Sequence, residues 1–372
     1  MAGLYIHIPY CRSKCAYCDF FSTPRNGDAY DYVKAVVKEF EIRQHEIDEP
    51  LTTMYLGGGT PSLLSQFQLE YLFEGIGKSI DIRQLDEVTI EANPEDISVQ
   101  KLERYAELGI NRVSIGIQSF DVRELESISR RHDAADSITA LDVLNKSGLN
   151  YSADLIYGLP GQTLAGWEAN LIRLLEFQPP HFSAYLLSYE PGTKLYARLM
   201  AGKIHETDES EALDMYGMLC RMARDAGYRH YEVSNFAIPG KEARHNSAYW
   251  TYTPYLGLGV SAHSFDGCVR RFNPIGIKDY INGINAARPV FAVDDESELN
   301  RFNDYVITSL RTARGFDVRF AEGMFGAPMV QRFLENVSQL PDGMLINMGT
   351  LISIPESNWL TSDAIMRELI LD

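Results

Sequence analysis

Leu4-Tyr5-Ile6-His7-Ile8-Pro9, followed at once by Tyr10-Cys11-Arg12-Ser13-Lys14-Cys15-Ala16-Tyr17-Cys18, decides how this chain is read. The first half is a short apolar, β-branched run closed by proline, which is the pattern of a buried strand. The second half sets three cysteines in a C-x3-C-x2-C spacing. The chain has five cysteines in all, and Cys220 and Cys268 stand alone. An odd count with a tight triplet makes a poor disulfide framework. It makes a good soft-metal site, because three thiolates on one loop can converge on one centre. A closed structural zinc site needs a fourth close ligand, and none lies between Cys11 and Cys18; His7 is set back in the strand. Iron–sulfur clusters use the same thiolate chemistry, and three cysteines leave one iron of a cubane open to a further ligand. Cys220, inside the helical run ALDMYGMLCRMARDAG (212–227), reads as a small core residue.

Five more short apolar runs follow the first: 52–58, 88–93, 112–117, 151–158 and 181–188. Stretches with helical spacing separate them, as with Val33, Val36, Val37 and Phe40, and Asn93-Pro94-Glu95-Asp96 has the makings of a helix start. Six strand–helix units predict a parallel α/β sheet buried on both faces. Their combined length suits an open or partial (β/α)6 TIM-like barrel, since a closed eightfold barrel takes about 250 residues. A doubly wound sheet is the alternative.

In either architecture chemistry gathers at the carboxyl ends of the strands. The cysteine triplet follows the first strand, and Gly57-Gly58-Gly59-Thr60-Pro61 follows the second. Glu91 and Asn93 end the third, Gln118 ends the fourth, and Asp154 lies in the fifth, ahead of Tyr157-Gly158-Leu159-Pro160-Gly161. The glycine run lacks the Gly-Lys-Ser/Thr of a phosphate loop. Singly, each feature reads as a turn, a cap or a satisfied core group. Together they describe a polar ligand pocket facing a metal centre.

Lys and Arg number 34 against 51 Asp and Glu, a net charge of −17. That balance excludes a general nucleic-acid binder and a surface that seeks anionic lipid. The absence of a long apolar run predicts no membrane span, and MAGLYIHIP lacks the layout of a secretory signal, so a cytoplasmic location is expected. After about residue 290 no chemical motif stands out. Residues 1–290 read as the barrel domain. Residues 291–372 read as a smaller, mainly helical domain of winged-helix kind, with a strand pair near Met344–Ile354, expected to cover the barrel mouth.

The segment from Tyr5 to Cys18, with GGGTPS (57–62), EANPE (91–95), SIGIQSF (114–120) and DLIYGLPGQT (154–163), resembles the radical S-adenosylmethionine (SAM) superfamily, and within it the oxygen-independent coproporphyrinogen oxidase branch. The resemblance implies a [4Fe–4S] cluster on Cys11, Cys15 and Cys18, with SAM on the fourth iron. It implies that Gly57, Gly58 and Gly59 approach the methionyl part with bare backbone and that Tyr5 and Thr60 belong to the same cofactor-binding set. Glu91 and Gln118 would hold ribose or carboxylate, Arg130 the SAM carboxylate, and Asp154 the ribose.

Coproporphyrinogen oxidases of that branch carry a fourth cysteine two residues after the third, where this chain has Phe20. Arg244-His245-Asn246-Ser247-Ala248-Tyr249-Trp250 is similar to the H-N-x-x-Y-W segment of the HemW subfamily of heme chaperones. This implies a protein that binds heme and passes it to an acceptor protein. His245 would be the iron ligand, with His263 and His7 as rivals. Asn246, Tyr249 and Trp250 would offer flat amphipathic surface, and Arg244, Arg270 or Arg271 would meet the propionates. His45 and His132 read as solvated helix-face residues. The alternatives are a radical enzyme acting on a tetrapyrrole, fed by a flavodoxin or ferredoxin-type donor, and a zinc protein without SAM chemistry.

Overall fold

The computed structural model describes residues 1–288, 290–294 and 297–372. Its first half alternates β1 (Ala2–Ile8), α1 (Ala29–Arg43), β2 (Leu51–Gly58), α2 (Gln66–Gly77), β3 (Glu87–Ala92), α3 (Val99–Leu108), β4 (Arg112–Gln118), α4 (Val122–Ser127), α5 (Ala134–Ser147), β5 (Asn150–Tyr157), α6 (Leu164–Glu176) and β6 (His181–Leu186). The six expected strands pair in chain order, all parallel. Leu4, Ile6, Ile90, Val113 and Ile115 are fully buried, as strands covered on both faces require. Helix starts are fixed by side chains: Ser65 and Gln68 form a capping box on α2, and Ser98 and Thr163 accept N–H groups at the starts of α3 and α6. The start expected at Asn93-Pro94 is a single 3-10 turn, Pro94–Asp96. Its Asp96 is buried and takes hydrogen bonds from Arg12 (2.8 Å) and Ser62 (2.9 Å) instead of leading a helix.

After β6 come α7 (Lys194–Met200), α8 (Glu209–Asp225), β7 (Arg229–Glu232), β8 (Asn235–Ala237), α9 (Arg244–Trp250), β9 (Tyr255–Leu258), β10 (His263–Phe265), β11 (Arg270–Phe272), α10 (Ile277–Asn285) and β12 (Ala292–Asp294). These extend the sheet on both flanks, in the order β12-β11-β10-β9-β1-β2-β3-β4-β5-β6-β8-β7. Both ends stay open, so the barrel is partial. β9 runs parallel to β1 and is a seventh parallel strand that the sequence pattern did not reveal. It is four residues long with a glycine in it. A Cβ on Gly257 would lie 1.9 Å from the carbonyl oxygen of His263, so the crossing of β9 and β10 requires the residue that disguises the strand.

The remaining chain folds as α11 (Glu298–Leu310), β13 (Phe316–Asp317), α12 (Val318–Phe325), α13 (Ala327–Gln339), β14 (Ile346–Asn347), β15 (Leu351–Ser353) and α14 (Ser362–Leu369), with an antiparallel sheet ordered β13-β15-β14. This part is mainly helical and contains the expected strand pair, Ile346–Asn347 with Leu351–Ser353. None of its described residues lines the mouth cavity. Tyr305 and Phe325 pack on Tyr252, just after α9, and α9 is held at the amino ends of the strands by Glu87, which accepts the N–H groups of Arg244 and His245 (2.9 Å each). The aromatic face thus draws this part to the base. No helix among the described residues is long and apolar enough to cross a membrane.

Candidate functional site

The loop after β1 is tied down by backbone bonds: Thr23 donates to Pro9 O (2.7 Å), Cys11 to Thr23 O (3.0 Å) and Ala16 to Ile128 O (2.9 Å). Cys11, Cys15 and Cys18 are free thiols, half-buried, and line one cavity of about 540 Å³ at the carboxyl ends of the strands. Two donors are already aimed at sulfur: the Thr60 hydroxyl at Cys11 (3.4 Å) and the Arg130 Nη1 at Cys15 (3.5 Å). Burial pushes the Cys11 thiol up, and the Cys18 thiol up to about 11. A bound cation reverses that preference, because thiolates are its ligands. Donors facing sulfur fit an anionic iron–sulfur cluster.

The glycines beside this loop are dictated by contact. A Cβ on Gly59 would lie 2.7–2.8 Å from backbone atoms of Ile8, Pro9 and Tyr10. Gly58 has φ +106°, and a Cβ there would meet the His7 ring at 2.4 Å. Its N–H donates to Glu91 (3.0 Å), whose other oxygen accepts from the Tyr55 hydroxyl (2.8 Å). Burial lifts the Glu91 pKa to about 7 against both donors. Gln118 sits at φ +66°, left-handed for a non-glycine residue, at a bulge in β4. Gly116 makes room for it: a Cβ there would lie 2.7 Å from Gln118 Nε2 and 3.2 Å from Arg130 Nη2. Arg130 Nη2 donates to Gly116 O (2.7 Å) and Asn93 Oδ1 (2.8 Å). Asp154 accepts from Ser114 (2.9 Å) and Ser152 (3.2 Å), and burial raises its pKa.

The three cysteines, Gly58, Gly59, Thr60, Glu91, Gln118, Arg130 and Asp154 therefore share one cavity, and Asn246 reaches it from α9. Tyr5 does not. Its hydroxyl meets His7 Nδ1 (3.2 Å) and its ring stacks on Tyr55, which takes the lining position instead. Sequence reasoning also missed the floor of the cavity. Arg112 is 2% exposed, gives Nη1 to Lys241 O (3.1 Å), and has no partner for Nη2 among the described residues. His181, pushed well below its usual pKa by burial, shares the floor and meets Ser152 (2.7 Å). An arginine opening an apolar strand was the available signal for this floor.

The heme-ligand expectation meets a different geometry. His245 is 1% exposed at the base, with Nδ1 on the Thr53 hydroxyl (2.8 Å), Nε2 on the Tyr249 hydroxyl (2.8 Å) and its ring stacked on Tyr55. Neither nitrogen is open to an iron in this conformation. His7 is likewise buried, held by Tyr5 and by Phe21 O (3.0 Å). His263 is exposed, with neither ring nitrogen hydrogen-bonded among the described residues and the Phe272 ring 5.8 Å away. Trp250 is half-buried on α9, away from the mouth cavity. Arg244, Arg270 and Arg271 each hold a carboxylate already: Asp86, Asp304 and Asp266. His132 is not solvated; it is buried with Nε2 on Ile117 O (3.0 Å), and burial lowers its pKa to about 4.

Comparison with known proteins follows this geometry. The radical SAM superfamily profile matches residues 5–172. The chain is 33% identical to the heme chaperone HemW of Lactococcus lactis, over 99% of this chain and 97% of that protein. It is 36% identical to the HemW of Bacillus subtilis, over 87% and 86%. Among solved structures, the coproporphyrinogen III oxidase HemN of Escherichia coli superposes with a TM-score of 0.83 at 23% identity, covering 99% of this chain and 90% of that one, a likeness of fold.

Proposed function

Because the chain belongs to the HemW family of radical SAM proteins, we propose that it binds heme and hands it to an acceptor protein, using a barrel that holds a [4Fe–4S] cluster and SAM. The observation that carries this reading is the end-to-end match to a heme chaperone. Phe20 supports it. Where the coproporphyrinogen oxidase pattern has a cysteine, an apolar ring lines the mouth, 63% exposed.

Cys11, Cys15 and Cys18 would hold the cluster, which when bound supplies a low-potential electron, drawn from a flavodoxin or ferredoxin-type donor, and a docking point for SAM. This chain's own residues do the rest. Gly58 and Gly59 keep the rim thin, and Thr60 and Arg130 stabilise thiolate charge. Arg130 also offers a carboxylate a cationic fork. Glu91, Gln118 and Asp154 present acceptors and donors to ribose and amino groups. The rim adds Arg12, Lys14 and Arg131, interleaved with Asp19, Glu95 and Glu190, so that a ligand's carboxylates would meet individual cations.

The test combines hemin titration of anaerobically reconstituted protein, transfer to a heme-free acceptor such as apomyoglobin, and incubation with dithionite, SAM and coproporphyrinogen III. Stoichiometric binding and transfer, with no vinyl-bearing porphyrin, is the expected outcome. Multiple turnovers to a vinyl product would replace this reading with oxidative decarboxylation.

A further inference from the structure

A second cavity, of about 300 Å³, lies where α8 and β7 meet the C-terminal part. Cys220 on α8, His230 on β7 and Glu356, at the start of the 3-10 turn Glu356–Thr361, converge beside it. Sγ, Nδ1 and a carboxylate oxygen all lie within 4.8 Å of one another. We propose that this trio binds one zinc-class divalent cation, with the cavity side left for a water ligand, and so ties the barrel to the C-terminal part.

Three observations carry the proposal. The first is spacing: Sγ to Nδ1 is 3.8 Å and Nδ1 to Oε1 is 2.9 Å. Tetrahedral zinc, with about 2.3 Å to sulfur and about 2.0 Å to nitrogen and oxygen, sets these separations at roughly 3.6 and 3.3 Å. These two pairs therefore need shifts of a few tenths of an ångström, and the sulfur and carboxylate lie within 4.8 Å of each other. The second is orientation. His230 Nε2 faces Val233 O (3.4 Å), so the tautomer with its proton on Nε2 has a carbonyl to meet and turns the Nδ1 lone pair toward Cys220 and Glu356, the arrangement found behind metal-bound imidazoles. Phe236, stacked at 4.0 Å, and Trp359, edge-on at 4.4 Å, hold the ring in that plane. The third is charge. Glu356 Oε1 faces Nδ1 at 2.9 Å, a place that either a proton carried on Nδ1 or a cation shared by the two atoms can fill. Arg224 occupies the other oxygen of Glu356, which leaves Oε1 pointing inward.

The competing occupant is a proton on Nδ1, shared with the Glu356 carboxylate, with the Cys220 sulfur as a weak neighbour of the same nitrogen. Cys220 is the buried core residue expected, and the cation would give its sulfur, which faces the ligand set and the cavity, a second role.

The experiment is an anaerobic Co2+ titration of the full chain carrying Cys11→Ala, Cys15→Ala and Cys18→Ala, so that the loop cannot compete. The expected result is one equivalent with a thiolate-to-cobalt charge-transfer band, displaced by Zn2+, absent in Cys220→Ala and unaffected by Cys268→Ala. Glu356→Gln, at a partly exposed carboxylate that folding tolerates, should weaken Co2+ at least tenfold. No band, a band that survives Cys220→Ala, or unchanged affinity in Glu356→Gln would each overturn the site in favour of the proton.

Discussion

The hydroxyl of Thr53 on β2 lies 2.8 Å from Nδ1 of His245 on α9, in the buried base of the barrel. With Tyr249 on the other nitrogen, the imidazole is fully engaged and neutral, and burial pushes its pKa down to about 3. In the unfolded chain the same ring titrates near 6.5. Below pH 6.5 the unfolded state takes up a proton that the folded state refuses, so stability falls as pH drops from 6.5 toward about 3. In His245→Gln this contribution is gone. Wild type should be the more stable at pH 7, and its lead should shrink by up to about 1.4 kcal/mol per pH unit of acidification. Urea unfolding of both proteins at pH 7, 6 and 5 measures this. Parallel curves would show that the ring is not held neutral.

The same pair bears on heme. If the resting conformation is the one that meets hemin, His245→Gln should leave the bound-iron spectrum unchanged, and His263→Ala should alter it and loosen binding by about tenfold, the weight of one lost ligand or charged hydrogen bond. The reverse result would mean that α9 leaves Thr53 before iron is ligated, and the base of the barrel would then be the moving part.

Gly59 sits against backbone on three sides, where no side-chain motion can relieve a clash. Gly59→Ala should therefore displace the cysteine loop and cut iron retention after reconstitution by more than half. Gly161→Ala is the contrasting case: no atom would meet its Cβ, and only its φ of +79° is strained, far from the thiols in sequence. Its iron content should match wild type. Equal iron in both variants would show that the loop does not need the bare backbone.

What the sequence made legible, and what it hid, follows from where the determinants lie. The six parallel strands and the residues at their carboxyl ends were readable because β-branched runs and the glycine and cysteine signals are local. The floor of the cavity was not, since Arg112 and His181 meet only through β4 and β6, and Asn246, read from sequence for another role, joins them by the return of α9 under the sheet. The surroundings of His245 were hidden for the same reason. Its partner Thr53 lies 192 residues away, and a histidine among aromatics looks alike whether its nitrogens are free or taken. The C-terminal part was legible in its helices and strand pair. Its docking at the base was set by Tyr252 against Tyr305 and Phe325, a tertiary choice.

Arg130 is the residue through which the cluster loop and the strand ends communicate. One guanidinium reaches Cys15 through Nη1 and both Asn93 and Gly116 O through Nη2. Its Nε is buried without a partner among the described residues, so donor capacity remains for a ligand. A lysine keeps the charge but has one nitrogen and cannot hold a fork across three acceptors. Arg130→Lys should retain the iron, because the three cysteines are untouched. It should weaken SAM by about 10- to 100-fold, as expected for losing a charged hydrogen bond of about 1.5–3 kcal/mol. Equilibrium dialysis of labelled SAM against reconstituted protein, normalised to iron, separates the two effects. Unchanged SAM affinity at full iron would confine Arg130 to organising the loop. Joint loss of iron and SAM would make its bond to the Cys15 sulfur the larger part of its role.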